Sequence, residues 1–152
     1  MNQAHYHLMI NHVPLFGIVT GTCLMLAGLI LRNEVVKKTA LYFFVISALV
    51  IVPTYTSGFG AEKVLKAFLP GMNTDVIEQH EEIAVLALGA TAVLGIISLV
   101  CTILFWGQKP VKNVIAIIIV ILSIATVVMI GFTANLGGKI RHPELKNSSG
   151  YR

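Results

Sequence analysis

Four stretches of nearly unbroken apolar residues divide the chain, at residues 8–31, 39–56, 83–106 and 111–135. Each approaches the roughly 20 residues that an α-helix needs to cross the ~30 Å hydrocarbon layer of a bilayer. The second is the shortest and carries Pro53 near its end, where a missing N–H and a bulky ring favour a kink. The polar connections differ in kind. Residues 32–38 (RNEVVKK) and 107–112 (GQKPVK) are short, whereas the link between the second and third stretches is long. Short links make antiparallel neighbours, so the pattern predicts one transmembrane domain over residues 1–152. Its architecture is an all-α, four-helix up-down-up-down bundle with a polar tail at 136–152. Within the long link, AEKVLKAFL (61–69) sets Val64, Leu65, Phe68 and Leu69 on one helical face and Glu62, Lys63 and Lys66 on the other. That is the pattern of a short interfacial helix, ended by Pro70-Gly71.

Composition agrees with this class. The chain is 56% hydrophobic and 12% charged, against about 25% charged in a soluble domain. The net charge of +4 is spread over loops and tail without a dense basic patch, so nothing in it reads as a nucleic-acid footprint. Charge also orients the spans. The short links hold Arg32, Lys37, Lys38, Lys109 and Lys112 against one acid, Glu34, and dense basic residues beside a span mark the cytoplasmic side. Both termini and the long link are then expected on the outer side. The first apolar run has no basic leader and no small-residue cleavage site, so no cleavable signal peptide is expected. Cys23 and Cys101 fall inside apolar runs at different depths and read as core thiols. Gly17, Gly21 and Gly28 share one helical face, and Gly17-x-x-x-Gly21 is a spacing that lets helix backbones approach.

The topology gathers chemistry at one end. His5, His7 and His12 precede or open the first span, His80 precedes the third, and His142 follows the fourth. Tyr55, Glu62, Glu78, Glu81, Glu82, Asn135 and Arg141 join them there, while the cytoplasmic links hold no histidine. Ionisable groups at a membrane boundary are candidate functional groups when they face the bundle. Pro14 sits near the first turn of its helix, where its missing N–H costs little, so His12 is expected to project toward the bundle level with His80. Asp75 and Glu78 form a capping-box variant that makes His80 already helical. Ala84, Ala87 and Thr91 lie beneath His80 on the same face. That stripe fits either room for a flat ligand or plain close packing.

Two imidazoles from facing helices hold a b-type haem, and three with a carboxylate hold zinc or copper. The sequence contains no Glu-x-x-His pair, no His-Glu-x-x-His and no Cys-x-x-Cys-His.

HLMINHVP, with His7, His12 and Pro14, resembles the opening of the bacterial four-helix membrane-protein family catalogued as domain of unknown function 2231. Ser57-Gly58 after the second span, His80, and TANLGGKIRHPEL (133–145) extend the resemblance over nearly the whole chain. The resemblance implies the bacterial inner membrane and a place near respiratory electron transfer, beside a cytochrome c, a Rieske-type partner or another membrane subunit. Three readings stand open. The first is a b-haem or quinone subunit using His12 and His80, with His7 and His142 as second candidates. The second is a zinc or copper protein using His7, His12, His80 and Glu81 or Glu82. The third is a cofactor-free accessory subunit.

Overall fold

The computed structural model describes residues 3–68 and 74–141. All of the secondary structure among them is helical: α1 (Gln3–Ile10), α2 (Val13–Ile30), α3 (Glu34–Phe68), α4 (Asp75–Leu104) and α5 (Asn113–Arg141). The α1–α2 unit and the three other long helices are each long and apolar enough to cross a membrane. α2 packs on α3, α3 on α4, α4 on α5 and α5 back on α2, while α1 leans on α3. Sequence neighbours therefore stand side by side around a closed ring, as short turns require.

Proline explains why the first span is two helices. Pro14 has no N–H for the Ile10 carbonyl one turn back. The helix breaks at Asn11 and His12, and α2 restarts with Pro14 in its first turn. The Thr54 hydroxyl of α3, bonded mainly to Val50 O at 2.8 Å, comes within 3.4 Å of the abandoned Ile10 oxygen.

Close packing follows the small residues. Gly17 faces Ser47, Gly21 faces the Phe44 ring and Gly28 faces Lys37. A Cβ on Gly21 would lie 2.7 Å from Phe44 Cε1, and one on Gly28 would lie 2.8 Å from the main-chain nitrogen of Lys37. The expected glycine face is thus the α2–α3 seam, and Gly95 repeats the device for α4 against Ala48. Ile18, Met25, Leu41, Phe44, Leu94 and Ile119 fill the centre.

The exterior is apolar: Phe16, Ile30, Leu49, Ile96, Ile121 and Phe132 are each more than half exposed. A protein facing water would leave a large sticky surface there. The interior meanwhile holds Thr22, Ser47, Thr91, Ser98, Ser123 and Thr126. Thr22 and Ser123 join α2 to α5 with hydroxyls 2.9 Å apart. Small hydroxyl residues between helices and large aliphatics outside them are what a lipid solvent selects.

The two ends are built differently. At the short-loop end Lys37 is 2% exposed. Its ammonium lies 2.5 Å from Glu34 Oε1 and donates to Val111 O at 2.9 Å and Asn113 Oδ1 at 3.2 Å. Glu34 Oε2 accepts the Val111 N–H at 2.7 Å. One ion pair thus ties the α2–α3 turn to the start of α5. At the other end the helices run on beyond the length that a bilayer crossing needs. The 35 residues of α3 rise about 50 Å, against ~30 Å of hydrocarbon.

Several expectations change. Residues 61–68 are helical, but as the continuation of α3 through Pro53 rather than a separate interfacial helix. Pro53 removes one donor and does not end a helix whose flanking turns are held by packing. Residues 136–141 extend α5 rather than open a tail. Cys101 is buried as expected, but Cys23 is exposed, because it lies off the face that buries Gly21, Thr22 and Met25. Thr74, not Asp75, caps α4, and without a side-chain hydrogen bond.

Candidate functional site

At the long-loop end two histidines reach across to neighbouring helices. His7 of α1 places Nδ1 2.8 Å from Ser57 Oγ and 3.1 Å from Thr54 O, both on α3. The Ser57 hydroxyl donates to Thr54 O at 2.7 Å. A main-chain oxygen only accepts, so Nδ1 carries the proton and Ser57 Oγ also receives from it. His80 of α4 likewise donates Nδ1–H to Thr133 O of α5, at 2.9 Å. In the neutral state each ring then carries its lone pair on Nε2, for which no hydrogen bond is made among the described residues.

A glycine stands beside each ring. A Cβ on Gly58 would lie 3.6 Å from His7 Cε1, and one on Gly137 would lie 3.4 Å from His80 Cε1. Gly58 is four residues after Thr54, and Gly137 is four after Thr133. The same Thr-x-x-x-Gly element thus supplies a carbonyl for an imidazole and clears the turn above it. The signal was present in the sequence, because both copies lie near the ends of the second and fourth spans.

Both rings precede the apolar spans that begin at residues 8 and 83. Partial burial holds the His80 imidazole below its ordinary range, against the opposing pull of the Thr133 carbonyl. Burial does the same to His7, and His80 is near enough for its charge to add to the effect. Two imidazoles at this end thus reach across to a neighbouring helix, and they are His7 and His80. His12, expected as the partner of His80, is exposed at the start of α2, its ring edge-on to Phe16 at 6.5 Å. It sits at the helix break, while α1 continues beyond it and carries His7 onto α3. His5 is exposed, and His142 lies outside the described residues.

Carboxylates line the same end. Glu62 of α3 pairs with Lys66 at 2.5 Å, which holds its carboxyl below the ordinary range. Glu81 beside His80 is pushed up, by partial burial first and then by the neighbouring Glu62 carboxylate. Glu78 and Glu82 are exposed. Among the described residues no group of three or more His, Cys, Asp or Glu is arranged to hold a metal ion.

The open space lies beside His7. Gln3, Tyr6, Pro53, Thr56, Ser57 and Gly60 line a groove of about 300 Å³ between α1 and α3. One turn along from His7, the Asn11 side-chain oxygen is buried without a hydrogen-bond partner among the described residues. Such an orphan acceptor costs about 1–3 kcal/mol and calls for a donor. Below His80 the stripe of small residues is packed. Ala87 and Thr91 are both buried, with the Thr91 hydroxyl turned back onto Ala87 O at 2.7 Å. The small-residue stripe is helix packing.

Fold and exterior together define a bundle of four helices long and apolar enough to cross a membrane. Comparison of the chain with family models, curated proteins and solved structures returns no match.

Proposed function

We propose that this is an integral membrane subunit whose long-loop end, on the outer side of a bacterial inner membrane, binds the head group of a quinone. The observation that carries the reading is the His7 environment. A neutral ring, fixed through Nδ1 to Thr54 and Ser57, leaves Nε2 as an acceptor; the Asn11 oxygen four residues along is orphaned among the described residues, and Ser57 also lines a groove with Tyr6 and Thr56. Two acceptors suit the reduced ring, whose hydroxyls donate. A quinol supplies two electrons and two protons when oxidised; a neutral imidazole is the group that receives such a proton at pH 7. Glu81, held toward its protonated form, and Glu62 lie at the same end as a route for protons outward. Electrons would pass to a redox partner such as a cytochrome c or a Rieske-type protein, and the resemblance of the His7–Pro14 element to the four-helix family supports that setting.

A b-type haem is the second reading, and the donor set favours it. Axial imidazoles hold their Nδ1–H on carbonyls, as His7 and His80 do. The buried Ala87 and Thr91 beneath His80 count against a slot for the macrocycle.

The test is binding of a short-chain quinol to the full chain in detergent, read by thermal shift, with an absorption spectrum of the same sample. Quinol stabilisation lost in His7→Gln and kept in His5→Gln supports the reading. A Soret band would replace it with haem. Absence of both, with His7→Gln like the parent, would leave the long-loop end as an accessory docking surface.

A further inference from the structure

The short-loop end carries a second groove that the proposed cofactor site does not use. Lys38, Leu41 and Tyr42 of α3, Thr102 of α4, and Phe105, Trp106 and Gly107 just beyond it enclose about 310 Å³. Leu41 and Phe105 give it apolar walls, while Tyr42 and Trp106 stand exposed at its rim. Amphipathic aromatic rings in that position belong at headgroup level.

Charge decides what the groove accepts. Five cations and one acid, Glu34, lie in the two short links. Glu34 is already engaged by Lys37 and by the Val111 N–H. Lys37 is buried and used up by the same network, which leaves Arg32, Lys38, Lys109 and Lys112 without a paired acid among the described residues. Lys38 is the one of them in the groove. Its ammonium donates to Gly107 O at 2.5 Å, which fixes it at the mouth with two further N–H donors to offer.

We infer that this groove binds an anionic phospholipid, with Lys38 holding the phosphodiester, Tyr42 and Trp106 flanking the headgroup, and Leu41 and Phe105 receiving the start of the acyl chains. The site rests on the membrane-spanning reading and is independent of the quinone reading.

Trp106 is the only tryptophan in the chain, so it reports on its own groove. The full-length protein is reconstituted in vesicles containing either brominated phosphatidylglycerol or brominated phosphatidylcholine with the same acyl chains, and quenching of Trp106 is followed against mole fraction. One basic residue near an anionic surface changes affinity on the order of fivefold, so phosphatidylglycerol should half-quench at a several-fold lower fraction. Lys38→Ala should erase the difference, Lys38→Arg should keep it, and Lys139→Ala, at the opposite end, should leave it unchanged. Equal quenching by both lipids in the parent overturns the site. Relief of quenching by inorganic phosphate overturns the lipid as ligand in favour of a free anion. No quenching by either lipid places Trp106 outside the bilayer and overturns the membrane-spanning reading with it.

Discussion

His80 donates its Nδ1–H to the main-chain oxygen of Thr133, 2.9 Å away, across the face that Gly137 leaves bare. His7 meets Thr54 and Gly58 in the same way. The carbonyl only accepts, so it sets the imidazole's tautomer: Nδ1–H is spent on structure and Nε2 is left for chemistry. The glycine beside each ring leaves open the position where a longer side chain would meet the imidazole.

Gly137→Val tests this. A branched side chain grows from a Cβ already 3.4 Å from the ring and pushes His80 off Thr133 O. The expected loss is about 1–3 kcal/mol, the cost of leaving a partly buried polar group unpaired. At Gly138 an added Cβ meets nothing within 4 Å. Gly138→Ala should therefore stay within about 0.5 kcal/mol of the parent. Thermal melts in detergent read both, and equal effects at the two sites would remove the steric argument.

The histidines also set a pH dependence. Burial holds both imidazoles below their ordinary value of about 6.5. The fold thus prefers the neutral rings. Their contribution to stability is complete above that value and is lost as pH falls through the lowered native values. Glu81 is raised, so its contribution runs the other way, present at acid pH and lost as pH climbs past its native value. Between pH 7.5 and 5 the histidines should dominate, and the melting temperature should fall on acidification. In the His7→Gln, His80→Gln double variant the slope over that range should flatten. A slope that survives would assign the acid sensitivity elsewhere.

The four spans, the up-down-up-down order and the glycine face of α2 were legible because each follows from length or period alone. The placement of His7 on α3 was not. Pro14 reads correctly as a helix start, but a helix start does not say what precedes it. The residues before it form α1, which sends His7 to α3 and leaves His12 at the exposed break. Lys37 was illegible for another reason. A lysine in a short polar link reads as solvated, and only the meeting of the α2–α3 turn with the start of α5 shows that Glu34, Val111 and Asn113 surround it. The amphipathic pattern of residues 61–68 was right about helix and silent about continuity with α3, since periodicity carries no information on where a helix stops.

That buried lysine gives an asymmetric expectation for the ion pair. Glu34→Gln leaves the Lys37 ammonium buried with only neutral partners such as Val111 O and Asn113 Oδ1, and an uncompensated buried charge costs about 3–5 kcal/mol. Lys37→Met removes that charge and keeps the volume of the stem. The Glu34 carboxylate, 37% exposed on its side chain, stays within reach of water and still accepts the Val111 N–H, so the loss should be about 1–3 kcal/mol, the cost of the unpaired Val111 carbonyl. Chemical or thermal unfolding in detergent compares the two, and a Lys37→Met loss equal to or above that of Glu34→Gln would mean the lysine's hydrogen bonds, not its buried charge, govern this end.

Orientation is the expectation on which the location of the long-loop end depends. Lys and Arg beside a span are retained on the cytoplasmic side, and the short links hold Arg32, Lys37, Lys38, Lys109 and Lys112. The burial of Lys37 does not weaken the argument, because topology is set as the chain inserts, before Glu34 and Lys37 have packed against α5. Asn33 is exposed in the α2–α3 turn, and His5 is exposed on α1 at the other end. In a background with Cys23 and Cys101 replaced by alanine, Asn33→Cys should be protected from a membrane-impermeant maleimide in intact cells and react once the membrane is opened. His5→Cys should react in intact cells. The reverse pattern would put His7, His80 and the groove beside them on the cytoplasmic side, and with it any quinol proton would be released inward.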